Sequence, residues 1–278
     1  MPETVLCNLC GNENPHILFR KNNLCIVKCG NCRLVYTSPR LTKNEVSKLY
    51  ATFNTKVGSK ETYSFERDSK KRIEKIIKIK KPGKLLEVGC SFGYFLNEAE
   101  KRGFDVYGIE LSKKAASIGR KMYGLKNIYS KELENFRPHK KFDVVAMYHT
   151  LEHLPNPKKS IFYIKKLLKN DGLLVIEVPD VGSFKAKLLK ERWIAYDFYL
   201  HYYYFSCKTL NQLLEVCGFK IIKKEIIAGA MLEGCVTERV KKISPGTRKI
   251  LSLPYSYITI ALGKINTGDA IRIYAVKK

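Results

Sequence analysis

The chain has 278 residues, 45% of them hydrophobic, which is enough for one large domain and a small addition. Its formal net charge is +25; this favours anionic partners or simply reflects solvated helix faces, and it selects no single partner. The N-terminus does not resemble a signal peptide, no apolar run reaches the ~18 residues of a transmembrane helix, and nine cysteines indicate a reducing, cytoplasmic location rather than a disulfide framework.

The first predicted element is a small region with four regularly spaced cysteines. Cys7 and Cys10 form one CxxC pair, and Cys29 and Cys32 form a second pair after eighteen intervening residues. Two such pairs supply four thiolates from tight turns, which predicts a closed, tetrahedral zinc site of the structural type. Cys25 is interpreted as a buried strand residue instead. We therefore predict a zinc ribbon over residues 1–40.

Two helices follow the ribbon. The first is predicted from about Thr42 to Tyr50, and residues 41–62 are interpreted as this helix and a linker. The second, over 65–80, carries isoleucines on one face and lysines around the rest, so we expect it to pack beside a sheet.

Residues 85–96 predict a buried strand, a glycine loop and the start of a helix. The strand contains the carboxylate of Glu87, and Gly89 and Gly93 allow the backbone to approach a ligand closely. A second strand, over 105–109, ends in Glu110, an acid placed for ribose hydroxyls. Glu87 would repel a pyrophosphate, so the pattern favours a nucleotide that carries positive charge, such as S-adenosylmethionine (SAM).

These features resemble the class I SAM-dependent methyltransferases, although Ser91 stands where their loop usually has its middle glycine. The resemblance implies an α/β fold over residues 63–278, with a Rossmann-like, doubly wound sheet of seven strands whose last strand is antiparallel. It implies that Glu132 recognises the adenine amino group, although an exposed loop glutamate is the alternative. The implied cofactor-binding residues are Glu87, Gly89, Cys90, Ser91, Gly93, Tyr94, Glu110, Leu111, Glu132, Leu133 and Tyr148.

A buried strand over 142–147 runs into a segment that contains His149, Glu152 and His153. Open α/β folds place their chemistry at this edge of the sheet. Methyl transfer needs a general base only when the acceptor loses a proton, and histidine suits that role. The resemblance to deoxysugar C-methyltransferases implies that Glu152 and His153 abstract a proton. His149 would contact cofactor or substrate, and the alternative is that these histidines only pack the loop.

The remaining elements complete the predicted sheet. After a fifth strand over 173–178, an aromatic segment over about 182–206 is predicted to form a lid, and His201 in it is a second candidate base. Its rings would stack on a sugar, a quinone or a base, or would pack within the lid. A sixth strand over 220–227 and a last strand over 269–276 should pair antiparallel. An insertion over about 236–268 would cover the sheet edge or a partner subunit, and peripheral membrane contact is not favoured.

Nearly the whole chain resembles the zinc-ribbon methyltransferases associated with sugar and surface-glycan biosynthesis. The deoxysugar enzymes among them carry an additional large C-terminal domain that this chain does not show. We therefore predict methyl transfer to a small-molecule acceptor, anionic or sugar-like, on oxygen or carbon. The alternatives are an RNA methyltransferase that uses the basic surface and a SAM-binding protein without turnover. The sequence predicts no oligomeric state.

Overall fold

The computed structural model describes residues 2–52, 60–227 and 268–278. Its strands, in chain order, are β1 (Pro15–Lys21), β2 (Leu24–Cys29), β3 (Val35–Thr37), β4 (Lys84–Val88), β5 (Asp105–Ile109), β6 (Ile128–Tyr129), β7 (Phe142–Tyr148), β8 (Leu168–Pro179), β9 (Tyr203–Tyr204), β10 (Phe219–Ile227) and β11 (Ala270–Lys277). Its helices are α1 (Lys43–Thr52), α2 (Lys60–Ile77), α3 (Tyr94–Glu100), α4 (Lys113–Tyr123), α5 (Pro157–Leu167), α6 (Phe184–Leu189) and α7 (Cys207–Val216), with single 3₁₀ turns at Leu133–Asn135, Leu151–His153 and Lys190–Arg192.

Seven strands form a mixed sheet in the order β10-β11-β8-β7-β4-β5-β6. β4, β5, β6, β7 and β8 are parallel, whereas β11 lies antiparallel between β8 and β10. The central strands are continuous apolar runs because helices cover both faces of a parallel sheet. The predicted seven-stranded sheet with an antiparallel last strand is therefore confirmed. β4 is central, with Glu87 paired to Gly108 on one side and Ala146 on the other.

Side-chain capping interactions start several of the helices. The Ser112 hydroxyl accepts the backbone N–H of Ala115 at the start of α4, and Asn156 accepts that of Lys159 at the start of α5. Ser206 and Thr209 form a reciprocal capping box at α7. Because β4, β5 and β7 are parallel, the residues that follow their carboxyl ends lie at one edge of the large sheet. That edge carries the candidate site.

A second sheet joins the N-terminal region to the predicted lid. Its order is β1-β2-β3-β9, and β9 pairs antiparallel with β3 through Val35–Tyr204 and Tyr36–Tyr203. We call residues 2–40 the cysteine module. Its buried residues, Tyr36 among them, share one apolar core with Met147 of the large sheet. The sequence predicted a separate ribbon; the structure shows that the lid completes its sheet.

Several predicted boundaries differ from the structure. α1 runs to Thr52 and α2 begins at Lys60, so helix extends into both ends of the predicted linker. β8 begins at Leu168, five residues before the predicted start, because the Asp171-Gly172 segment remains in the strand. Residues 236–267 of the predicted insertion lie outside the described residues. Among the described helices, none combines the length and apolar character needed to span a bilayer.

The aromatic residues of the predicted lid are largely buried. Of the two interpretations of this segment, the structure therefore favours packing over stacking on a ligand for the buried rings. These are Trp193, Phe198, Tyr202, Tyr203, Tyr204 and Phe205, each 7% exposed or less.

Candidate functional site

The glycine loop, residues 89–93, connects β4 to α3 with three residues in the left-handed region. Gly89 and Gly93 both have φ of 77°, and Ser91 has φ of 47°. A Cβ atom on Gly89 would lie 2.4 Å from Thr150 Oγ1, and one on Gly93 would lie 2.5 Å from Leu125 Cδ1. Glycine is thus required for both conformation and space. Ser91 adopts, at a cost of ~1–2 kcal/mol, a conformation that glycine accepts freely.

Glu110 lies against this loop from the end of β5. Its carboxylate accepts the backbone N–H of Ser91 at 2.9 Å and that of Ser112 at 2.8 Å. The two strands therefore bring the predicted acid and the predicted loop together, as expected for a nucleotide site.

Glu87 is a buried carboxyl group beside the loop. It is 5% exposed, and its Oε2 atom has no hydrogen-bond partner within the described structure. Burial raises the pKa of Glu87 to about 8; the Arg72 guanidinium opposes this shift and the charge of Glu110 adds to it. An unpaired buried carboxyl group is stabilised by a cationic partner. The ammonium and sulfonium of SAM fit this position.

The other predicted cofactor residues divide into two groups. Cys90 and Tyr94 are buried and pack against the protein, not toward a ligand. Cys90 Sγ packs so closely on Gly108 that a Cβ atom there would lie 2.6 Å from it, and the Tyr94 ring stacks on Phe65. Leu111 is 58% exposed beside Glu110 and is available to a ligand.

The predicted adenine contacts are engaged within the protein. The Glu132 carboxylate pairs with Lys43 Nζ of α1 at 2.6 Å, and Leu133 is 3% exposed in the main apolar core. The lysine partner follows from tertiary packing of α1, which the sequence did not indicate.

Tyr148 ends β7 and His149 follows it, and both lie beside an ionic network. The Arg72 guanidinium lies 4.2 Å from the Tyr148 ring centroid and 2.6 Å from Glu177 Oε1. Arg272 pairs with the other Glu177 oxygen at 2.5 Å. Burial alone would raise the pKa of Glu177, but Arg72, His149 and Arg272 hold it well below its usual range. Glu177 is therefore a fixed anion beneath the site.

His149 adopts a left-handed conformation, with φ of 51°. Its Nε2 lies 3.2 Å from Glu177 Oε1, and its Nδ1 lies 3.6 Å from Glu152 Oε1. Burial lowers the pKa of His149, but the two carboxylates outweigh this effect and raise it to about 9. A ring that is protonated at neutral pH bridges the two anions and does not accept a proton.

Sequence reasoning missed Arg72, Thr150, Glu177 and Arg272. A usable signal existed for two of them, because Glu177 and Arg272 are charged residues within otherwise apolar buried strands. Such residues need partners at neighbouring positions, and β8 and β11 are adjacent.

Glu152, His153 and His201 form a group that we call the His–Glu cluster. One potential ligand atom from each lies within 4.8 Å of the others, and the two rings meet edge to face with centroids 4.6 Å apart. His153 Nδ1 lies 3.0 Å from the Leu200 carbonyl, and His201 Nδ1 lies 2.9 Å from the Ala195 carbonyl. When Nδ1–H donates to a carbonyl, a neutral ring carries its lone pair on Nε2.

The electrostatics of the His–Glu cluster suit proton transfer. Glu152 is 1% exposed, and neither carboxylate oxygen has a hydrogen-bond partner among the described residues. Burial raises the pKa of Glu152, but His149, His153 and His201 outweigh this and lower it. Burial and the neighbouring His153 lower the pKa of His201 to about 4. Two imidazoles and a carboxylate are also a donor set for divalent metal ions.

The four predicted metal-binding cysteines converge at one end of the cysteine module. The Sγ atoms of Cys7 and Cys32 are 3.4 Å apart, those of Cys10 and Cys29 are 3.5 Å apart, and all four lie within 4.8 Å of one another. The cysteines that the structure describes are free thiols. Four converging thiols fit a tetrahedral zinc ion. Cys25 lies in β2, outside this group, as predicted.

Comparisons with known proteins agree with this architecture. Residues 63–224 match the family described as a methyltransferase domain. An uncharacterized protein of Methanocaldococcus jannaschii is 32% identical over 142 residues, 51% of this chain and 66% of that protein. A ubiquinone biosynthesis O-methyltransferase of Azoarcus sp. is 34% identical over 111 residues, 38% of this chain and 47% of that protein. The matched region thus spans 47% to 66% of the length of these relatives.

A solved structure gives the same picture at the level of the fold. Magnesium protoporphyrin IX methyltransferase from Synechocystis, solved with bound SAH, is 12% identical and superposes with a TM-score of 0.54. The alignment covers 84% of this chain and 94% of that chain. The predicted class I methyltransferase fold is confirmed.

Proposed function

Because the chain belongs to the methyltransferase domain family, we propose that it transfers a methyl group from SAM to a small-molecule acceptor. The observation that carries this proposal is the buried Glu87, whose unpaired oxygen lies beside the glycine loop. A buried carboxyl group without a donor calls for a cationic ligand, and Glu110 supplies the second contact that a nucleoside needs.

Each residue of the loop then has a distinct task. Glu87 pairs with the ammonium group of SAM, and Glu110 exchanges its backbone contacts for ribose hydroxyls. Gly89 and Gly93 leave room for the ligand against the backbone, and Leu111 covers it from the exposed side. When bound, SAM supplies a methyl group activated by its sulfonium. The protein aligns the acceptor with that group and excludes water.

His153 is the proposed proton acceptor. Its Nδ1–H is held by the Leu200 carbonyl, so Nε2 is the basic atom. Glu152 stabilises the imidazolium that forms, and protonated His149 keeps Glu152 in place. His201, with a lowered pKa, remains neutral and orients His153 through their edge-to-face contact.

For the acceptor we propose a sugar or glycan precursor, methylated on oxygen or carbon. The net charge of +25 supports an anionic acceptor, such as a phosphorylated one. The name of the Azoarcus relative, an O-methyltransferase, supports a small-molecule hydroxyl. RNA methylation and SAM binding without turnover are the alternatives.

The four cysteines would hold a zinc ion. With four thiolates and no open position, such an ion stabilises the cysteine module and takes no part in the chemistry. The cysteine usage of the sequence, with four of nine cysteines in two CxxC pairs, supports a reducing compartment.

The test is incubation of the protein with methyl-labelled SAM and a cell extract, followed by separation of small anionic, lipid-linked and RNA products. We expect label in the small anionic or glycan pool. His153→Ala should reduce the rate by about 10²-fold or more, whereas His139→Ala, an exposed histidine before β7 at the opposite strand end, should not change it.

The outcomes separate the alternatives. Label in RNA refutes the acceptor proposed, and recovery of all SAM intact refutes turnover. Full activity of His153→Ala refutes the base. If a chelator instead abolishes activity while the cysteines keep their zinc, and a divalent ion restores it, the His–Glu cluster is a metal site and not a proton acceptor.

A further inference from the structure

The first CxxC turn of the cysteine module contacts the segment that carries His153. Asn8 lies inside that turn, and its amide donates to Asn156 Oδ1 at 3.0 Å and accepts the backbone N–H of Lys158 at 3.0 Å. Lys158 Nζ donates to the Leu9 carbonyl of the same turn at 3.4 Å. Asn156 is three residues beyond His153 and caps α5. The turn therefore holds the far end of the His153 loop.

The strand that follows the second CxxC pair contacts the segment that carries His201. The Thr37 backbone N–H donates to the Tyr202 carbonyl at 3.0 Å, and its hydroxyl donates to the His201 carbonyl at 2.9 Å. Val35 pairs with Tyr204 in the sheet. The backbone from His201 to Tyr204 is thus held by β3.

Arg40 ties these two segments together. This buried guanidinium, 7% exposed, donates to the Pro155 carbonyl at 3.2 Å and to the Tyr203 hydroxyl at 3.3 Å, and it stacks on the Tyr202 ring. Its outer side pairs with Glu3 at 2.8 Å. Pro155 follows His153 by two residues, so a single side chain of the module contacts both segments.

The two segments also contact each other directly, at the His–Glu cluster and through the Tyr203 hydroxyl, which donates to the Pro155 carbonyl at 3.1 Å. His153 is held by the Leu200 carbonyl, and the Tyr202 N–H donates to the Glu152 carbonyl at 2.9 Å. The geometry of the cluster therefore depends on how the segments lie relative to each other. The cysteine module is bonded to both of them.

We propose that the cysteine module, closed by its metal ion, is a positioning element of the active site, acting through Asn8, Thr37 and Arg40. Closure of the CxxC turns fixes Asn8 and Leu9, and the order of β2 and β3 fixes Thr37 and Arg40. The module sets the distance between His153 and His201. This proposal rests on the proposed function only where the rate of methyl transfer is measured; the metal content and the hydrogen exchange do not depend on it.

The first experiment removes one metal ligand. Cys10→Ser changes the exposed cysteine of the four, and Cys25→Ser changes a cysteine of the same module that is not a ligand. Metal content, SAH affinity and amide hydrogen exchange are measured for both. Cys10→Ser should lose zinc and speed exchange in residues 149–158 and 195–205 by about tenfold or more, while exchange in the glycine loop stays within about twofold of the parent. Cys25→Ser should keep its zinc.

The second experiment keeps all four cysteines. Asn8→Ala removes the contact to Asn156, and Asn31→Ala changes an exposed asparagine inside the other CxxC pair. Asn8→Ala should speed exchange around 154–160 and lower the rate of label transfer at saturating SAM by about fivefold, with KM for SAM unchanged. Asn31→Ala should do neither.

Two results would overturn the inference. One is exchange in 149–158 and 195–205 that stays at the parent level after zinc is lost. The other is an Asn8→Ala protein that matches Asn31→Ala in exchange and in rate. If the parent protein transfers no methyl group, the proposed function fails, but the exchange measurements still decide the role of the module.

Discussion

The buried Glu87 makes a quantitative prediction about the pH dependence of cofactor binding. With a pKa of about 8 in the free protein, the group is mostly protonated at neutral pH. A ligand ammonium stabilises the carboxylate, so binding at pH 7 should release about 0.9 proton. The affinity for SAM or SAH should therefore increase about tenfold for each unit by which the pH rises, up to about pH 7.5. It should level off above about pH 8.

Glu87→Gln removes the titrating group without changing its size. The variant should show no such slope, and above about pH 8 it should bind SAH about 10- to 100-fold more weakly than the parent, because a charge-assisted pair is lost. Near about pH 6 the two proteins should converge, since the parent is then neutral at this position too. Calorimetry in two buffers with different ionisation enthalpies counts the protons directly.

The same substitution should stabilise the ligand-free protein. The pKa of Glu87 is about 8 in the folded protein and near 4.5 in the unfolded chain. The group therefore costs no folding free energy below about pH 4.5, and the cost grows as the pH rises toward about 8. At pH 7 the penalty is about 3 kcal/mol, and its removal should raise Tm by about 6 to 10 °C. Glu100→Gln, on the exposed end of α3, should change neither property. Equal SAH binding by Glu87→Gln and the parent above about pH 8 would refute the reasoning.

Two further substitutions test the loop and the network beneath it. Gly89→Ala should weaken SAH binding by about tenfold, because alanine disfavours the left-handed conformation and its Cβ would clash with Thr150. Gly124→Ala is the control, since Gly124 has a similar φ but open space around it and should leave SAH binding unchanged. Equal SAH affinities of the two variants in calorimetry would contradict this. Glu177→Gln should destabilise the protein by about 3–5 kcal/mol, because the buried Arg272 and the partly buried Arg72 both lose their pairing with this carboxylate. Denaturant unfolding against the exposed Glu215→Gln checks this, and equal midpoints would contradict it.

Most of the fold could be predicted because local pattern and tertiary structure agree. The strand, glycine loop, helix, strand and acid of residues 85–110 lie as predicted, since the period of apolar residues and the glycines both constrain this unit. The prediction of a methyltransferase domain is confirmed by the family match. Local signals of this kind need no knowledge of distant residues.

The features that could not be predicted are contacts between distant segments. The sequence predicted that Glu132 contacts adenine, but its carboxylate pairs with Lys43, which is more than eighty residues away in the sequence. The pairing of β3 with β9 has no local signal either, because strands of two or three residues are too short to show a periodicity. The sequence predicted that His149 contacts the cofactor or the substrate. Its charge depends on Glu177, which lies on β8 and is distant in the sequence.

The pairing of Val35 with Tyr204 has a consequence for how the protein is made and dissected. The sheet of the cysteine module cannot be completed until residue 204 has been synthesised, so β3 lacks its β9 partner while most of the chain is being made. Deleting the first forty residues would leave the edge of β9 unpaired and uncover the apolar Tyr202–Phe205 strip. A shortened protein that starts at the conventional methyltransferase boundary should therefore aggregate, and enzymes of this architecture are best expressed and engineered whole.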